Sequence, residues 1–283
     1  MRELSELAPA KVNVCLYLGP VREDGRHELL SVMQSIDLAD RLTLRDGDGP
    51  ADEVRCPGVE GPNLATAALA AFRAATGWDG PPQLLEIDKR VPVAGGVGGG
   101  SADAAAALRL LARRSGRGGD LVQLHEIAAR LGADVPSQLQ PGRVLARGAG
   151  ERIRVLPDPN PCGLLVLRSV GGLSTAAVYV EADRLGLPRS AAELEELAAL
   201  LDTADPEPIN DLQPAAISLD PTIELRLAQA RDSGASHAFV TGSGPTVIGL
   251  FPSYEHARDA AHHLAESGID AQVSMPWHNP TSP

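Results

Sequence analysis

One stretch limits the possible folds more than any other. Pro92 to Ala107 reads P-V-A-G-G-V-G-G-G-S-A-D-A-A-A-A. Gly95, Gly96, Gly98, Gly99 and Gly100 stand between an apolar segment, Leu84–Val91, and an alanine-rich one, Ser101–Arg114. The first predicts a strand and the second a helix, so the glycines form a strand-to-helix loop. Without Cβ atoms, successive backbone N–H groups can converge on one anion. The N-terminal end of the helix adds unpaired donors and a favourable dipole. Such a loop suits a polyphosphate. A flexible linker is the plainer alternative, but linkers seldom sit tightly between a strand and a helix. No Lys follows the glycines, as a P-loop requires, and the spacing from Gly96 breaks the dinucleotide fingerprint at Ser101. Protein-kinase motifs are also missing. Ser101 is placed to cap its helix and to touch phosphate or Mg²⁺.

Composition narrows the partners. The 283 residues are 43% hydrophobic but only 3% aromatic, so Leu, Val, Ile and Ala must build the core. A net charge of −12 argues against nucleic acid and against anionic membrane surfaces. It leaves room for a phosphorylated small molecule held by a few local cations. Cys15, Cys56 and Cys162 are far apart and lack C-x-x-C spacing, which predicts small buried thiols in a reducing compartment. The first nine residues contain no apolar h-region, and no apolar run reaches membrane-spanning length. The expected location is the cytoplasm.

Alternation at Val12–Leu18 predicts a strand with Lys11, Asn13, Cys15 and Tyr17 on one face. Further strands are expected at Arg41–Arg45, Arg143–Arg147, Leu164–Arg168, His237–Thr241, Thr246–Phe251 and Ala271–Met275. Helices are expected at Leu64–Thr76, Asp120–Leu131, Ser174–Leu185, Ala191–Leu201, Pro221–Ser233 and Tyr254–Ser267. L-P-D-P-N-P at Leu156–Pro161 interrupts regular structure and marks a boundary. Two α+β lobes follow, residues 1–156 and 157–283.

Other candidates are weak one at a time. Thr241–Thr246, T-G-S-G-P-T, reads first as a tight turn. Lys11 reads as a solvated edge charge or as a cation aimed at a transferring phosphoryl group. Asp134 reads as a turn residue or as a base accepting a hydroxyl proton. His256, His262 and His263 lack the spacing of a metal pair.

In combination the pieces resemble the GHMP small-molecule kinases, the superfamily of galactokinase, homoserine kinase and mevalonate kinase. The resemblance runs through A-P-A-K-V-N-V-C-L-Y-L at Ala8–Leu18, E-D-G-R-H-E-L at Glu23–Leu29 and the glycine loop. It continues through G-A-D-V-P at Gly132–Pro136, N-D-L-Q-P-A-A at Asn210–Ala216 and G-S-G-P-T at Gly242–Thr246. It implies an N-terminal lobe like ribosomal protein S5 domain 2 and a ferredoxin-like C-terminal lobe. It implies ATP, with Mg²⁺, between the lobes over Pro92, Val93, Ala94, Gly95, Gly96, Val97, Gly98, Gly99, Gly100, Ser101 and Ala102. P-A-K-x-N and G-A-D-V-P point, within the superfamily, to phosphorylation of the 2-hydroxyl of a cytidyl diphosphate sugar alcohol in isoprenoid precursor synthesis. By position Asp134 would be the base and Lys11 its electrostatic partner. Asn13, His27 and Thr175 would contact substrate, and Tyr179 would stack on the cytosine. One residue departs from the pattern. The family usually has an aromatic before this His, where the chain has Arg26. A guanidinium is planar and stacks on π systems, so Arg26 is expected to take the aromatic's place.

Arg26 also suits a sibling kinase acting on another small alcohol. An S5-like RNA-binding module is disfavoured by the net charge, and a silent nucleotide-binding protein by the retention of Lys11 and Asp134.

Overall fold

The computed structural model describes every residue except Met1, Arg2, Ala94, Gly118, Gly119, Ser169, Val170, Asp202, Thr203 and residues 279–283. The chain divides into two compact units. The first holds the chain start through Ala10, Leu38–Val93 and Gly98–Pro141; the second holds Lys11–Asp37, the loop as far as Val97, and the chain from Gly142 onward. Two long strands, β1 (Leu4–Val21) and β2 (His27–Asp46), contribute residues to both.

In the first unit β4 (Gln83–Asp88) runs antiparallel to β2, with Arg41 opposite Asp88, and parallel to the short β3 (Glu53–Arg55). Three helices, α1 (Leu64–Thr76), α2 (Gly99–Ser115) and α3 (Leu121–Leu131), supply most of the core. Local chemistry explains where α1 begins and ends. The Asn63 side chain accepts the Ala65 N–H, and Gly77 closes the helix in the left-handed region at φ 62°. Ala65, Ala68, Leu69 and Phe72 recur at helical spacing and are all buried. Helix α2 is buried almost continuously from Ala102 to Ala112, and its alanines let neighbouring elements approach closely. Leu108, Leu110 and Leu111 fill the space beside Leu42, Leu44 and Phe72.

Two boundaries around the glycine loop differ from the expected ones. The strand ends at Asp88, not Val91, because the amides of Arg90 and Val91 donate to the Asp40 carboxylate. Helix α2 begins at Gly99, not Ser101. Gly98, at φ 72°, is its cap, and Ser101 lies in the first turn with no capping bond.

In the second unit β5 (Arg143–Gly148) pairs antiparallel with β2 and with β6 (Arg152–Val155). The two-residue β8 (Ile209–Asn210) lies parallel to β1 at Cys15 and Leu16. A separate antiparallel sheet has the order β11-β7-β10-β9, built from β7 (Gly163–Leu167), β9 (His237–Val240), β10 (Val247–Phe251) and β11 (Ala271–Ser274). Among the described residues this unit holds the helices α4 (Thr175–Arg184), α5 (Ala191–Leu200), α6 (Gln213–Leu219), α7 (Thr222–Asp232) and α8 (Tyr254–Glu266). Leu165, Leu167, Val247 and Phe251 from the sheet pack with Ile223, Leu227, Ala257 and Leu264 from the helices. Among the described residues no helix is long and apolar enough to cross a membrane.

Candidate active site

Strand β1 carries the first two functional side chains. Lys11 and Asn13 lie two apart, so they share a face, and both are buried, at 4% and 2% exposure. Lys11 Nζ donates to Asn13 Oδ1 at 2.7 Å. Asn13 Nδ2 donates to Ser31 Oγ at 2.8 Å, and Ser31 Oγ donates to the Cys15 carbonyl at 2.6 Å. Burial pushes the neighbouring Cys15 thiol up to about 11, so it is a neutral packing group.

The ends of two glycine segments meet this face. The Lys11 N–H donates to the Val97 carbonyl at 2.9 Å, and the Asn13 N–H donates to Thr241 Oγ1 at 2.8 Å. A Cβ on Gly242 would stand 3.5 Å from Asn13 Oδ1 and 3.7 Å from Lys11 Nζ. A Cβ on Gly96 would stand 2.6 Å from the Gly244 carbonyl oxygen, and Gly96 itself sits at φ 72°. Asn210 holds the second glycine segment, donating to the Val240 and Gly242 carbonyls at 2.7 Å each. Thr175 Oγ1 lies 3.0 Å from Ser243 Oγ of the same segment. The structure therefore brings Lys11, Asn13 and Thr175 together with T-G-S-G-P-T, which is more than a turn.

A second cluster in this unit surrounds His27. Its Nδ1 is 2.8 Å from the Gly19 carbonyl, which can only accept, so Nδ1 carries a proton. Nε2 is 3.2 Å from Asp183 Oδ1. The ring lies 5.4 Å from that of Tyr179 at an interplanar angle of 39°. Tyr179 and Asp183 are one helical turn apart on α4. Arg26 is half exposed, and its Nε and Nη2 donate to Asp24 Oδ2 at 3.1 and 2.8 Å.

The first unit holds Asp134 and the helical end of the glycine loop. Asp134 follows Gly132, whose N–H donates to the Ala128 carbonyl, and precedes Val135, which is fully buried. Its carbonyl accepts from Ser137 Oγ at 2.7 Å, so its backbone is pinned on both sides. Gly98, Gly99, Gly100 and Ser101 form the start of α2, where no side chain accepts a backbone N–H, and the Ala102 N–H is the first to be taken up, by the Gly98 carbonyl at 2.9 Å. Of the other loop residues, Pro92 and Val97 are buried, Val93 is exposed, and Ala94 lies outside the described residues.

Local pattern assigns no role to Thr241, Ser31, Asn210 or Asp183. Asn210 opens the N-D-L-Q-P-A-A motif and Thr241 opens T-G-S-G-P-T. Ser31 and Asp183 carry no local signal, because only tertiary contacts bring them to Asn13 and His27.

A glycine-rich strand-to-helix loop, a buried lysine and the fold define a class. Residues 63–142 match the N-terminal domain of the GHMP kinases, and residues 185–270 match their C-terminal domain. The chain belongs to the GHMP kinase family, and its two-lobed α+β architecture is the GHMP kinase fold. Its relatives within the family are narrower still. The 4-diphosphocytidyl-2-C-methyl-D-erythritol kinase of Mycolicibacterium gilvum is 38% identical, over 94% of this chain and 88% of its own length. The Streptomyces avermitilis enzyme of the same name is 41% identical, over 92% of each. A crystal structure of 4-(cytidine 5'-diphospho)-2C-methyl-D-erythritol kinase matches with a TM-score of 0.79 and 32% identity, covering 97% of this chain and 100% of that one. Homoserine kinase from Cytophaga hutchinsonii, at TM-score 0.68 and 19% identity over 99% of this chain and 96% of its own, shares the fold.

Proposed function

We propose that this kinase transfers the γ-phosphate of ATP to the 2-hydroxyl of 4-diphosphocytidyl-2-C-methyl-D-erythritol, a step toward isoprenoid precursors in the cytoplasm. The near-full-length likeness to relatives of that name carries the substrate assignment. The chemistry needs positioning and charge stabilisation more than covalent catalysis. Pro92–Ala102, in residues 1–156, is the proposed ATP cradle, its donors being backbone amides and the α2 N-terminus. Asp134 is the proposed base, accepting the proton of the attacking hydroxyl. Lys11 is the proposed cation for charge developing on the transferring group, oriented beforehand by Asn13.

His27, Tyr179, Asn13 and Thr175 are the proposed substrate contacts. The oblique His27–Tyr179 pair supports Tyr179 as one face of a cytosine site. Arg26 is proposed for the other face. Its two bonds to Asp24 support a held guanidinium plane.

Mg²⁺ neutralises phosphate charge in such reactions and takes most of its ligands from phosphates and water. The Ser101 hydroxyl, in a helix turn that no side chain caps, fits a single oxygen ligand for it. The test is incubation with ATP, Mg²⁺ and a panel of the cytidyl substrate, homoserine and mevalonate, with ADP measured. ADP release is expected with the cytidyl substrate. Release only with homoserine or mevalonate would replace this reading with a sibling activity.

A further inference from the structure

The first unit holds two buried carboxylates and a partly buried lysine that the proposed chemistry does not use. Lys89 Nζ donates to Asp40 Oδ2 at 2.5 Å and to Asp103 Oδ2 at 2.9 Å. Asp40 is fully buried, and its second oxygen accepts the amides of Arg90 and Val91 at 2.6 and 2.8 Å. Asp103 is 2% exposed, and its Oδ1 has no hydrogen-bond partner.

Their places in the chain give the cluster its meaning. Lys89, Arg90 and Val91 lead directly into the glycine loop. Asp103 lies one helical turn past Gly99, where the loop has become α2. Asp40, on β2, is bonded to the leading side, and Lys89 links it to the trailing side. Gly99 packs on the same residues: a Cβ there would lie 2.8 Å from Val91 Cγ1 and 3.3 Å from Lys89 Nζ. Two carboxylates and one ammonium make a costly burial, and apolar side chains of similar volume would often be more stable. What charged bonds add is a fixed geometry, because each has a set length and direction.

We propose that Asp40, Lys89 and Asp103 are positioning residues for ATP, clamping the two ends of the glycine loop at the separation where its amides converge on the phosphates. The proposal rests on the reading of that loop as the ATP cradle. A loop whose ends are already fixed loses less freedom when the nucleotide arrives.

The test uses the full chain and the triple variant Asp40→Asn, Lys89→Met, Asp103→Asn, which removes the charges at nearly constant volume. Calorimetry measures affinity for the ATP analogue adenylyl imidodiphosphate with Mg²⁺. Kinetics at saturating ATP give KM for the cytidyl substrate, and thermal melting reports the fold. Analogue affinity is expected to fall about tenfold or more, with that KM changed less than about twofold. Gly100→Val is the control for the cradle. Its Cβ would meet only Leu64 Cδ1, at 3.8 Å, so the fold accepts it while the loop surface is blocked.

Wild-type affinity in the triple variant, with binding lost in Gly100→Val, overturns the clamp and leaves the cradle standing. Unchanged affinity in both overturns the cradle and the clamp with it. Parallel losses of analogue affinity, substrate KM and melting temperature make the cluster merely structural and overturn the proposal. Should the triple variant not fold, Asp103→Asn, which keeps the shape of the side chain and removes its charge, decides: analogue affinity is expected to fall about threefold or more with the substrate KM changed less than about twofold. Unchanged analogue affinity in Asp103→Asn, with binding lost in Gly100→Val, would overturn the clamp.

Discussion

Lys11 shows how far a residue's chemistry depends on its surroundings. On a bare strand it is an edge charge; here it is buried and bonded to Asn13. Lys11→Met keeps the stem and removes the charge. It should lower kcat more than substrate affinity, because the charge matters most as the phosphoryl group moves. Steady-state kinetics decide, and an effect confined to KM would make Lys11 a binding residue. Asp134→Asn should lower kcat by about 10²–10⁴-fold, the range for losing acid–base catalysis, with ATP affinity unchanged. Near-wild-type turnover would remove Asp134 from the mechanism. Arg26→Ala should weaken the cytidyl substrate by roughly 5–150-fold, since stacking is worth about 1–3 kcal/mol per base. Substrate binding equal to wild type would leave Arg26 a surface residue paired with Asp24.

At the scale of elements, termini are legible where a local group satisfies them. Asn63, Asp120, Ser174, Ser190 and Ser253 each accept a backbone N–H at the start of a helix, and each lies within a residue of the expected start. The glycine loop is legible as a strand-to-helix loop, but its edges are not. Gly98 marks the start of α2 at a positive φ, and Asp40, on the neighbouring strand β2, accepts the amides of Arg90 and Val91 just past the end of β4. Gly96 tests the other end. Its left-handed backbone and the Gly244 carbonyl 2.6 Å from a would-be Cβ leave no room for alanine. Gly96→Ala should cost about 1–3 kcal/mol, read as a lower urea midpoint. An unchanged midpoint would mean the two glycine segments are not held as described.

The whole molecule registers the buried charges as a pH dependence. The Asp103 carboxyl titrates at about 7 when folded, well above the ordinary carboxylate range. The folded chain therefore binds this proton more readily than the unfolded one. Its contribution to stability is fully present below the unfolded carboxylate range and is lost as pH rises through about 7. Melting temperatures of wild type and Asp103→Asn, compared from acid to mildly alkaline pH, should show a steeper decline in the wild type. Parallel curves would place the cluster's charge elsewhere.

Sequence alone determined the α+β class, the order of most helices and strands, the glycine-rich strand-to-helix loop and the kinase family, since periodicity, caps and motif spacing are local. Tertiary structure decided the rest. Strand β2 runs for 20 residues where alternation marked only Arg41–Arg45, because most of its side chains are buried and a strand buried on both faces shows no period of two. The short β8 and α6 were also invisible, being too brief for a periodic signal. Asn13 meets Thr241 across 228 positions, and Lys89 meets Asp40 across 49. No local pattern records such a pairing, because the partner is chosen by the packing of the folded chain.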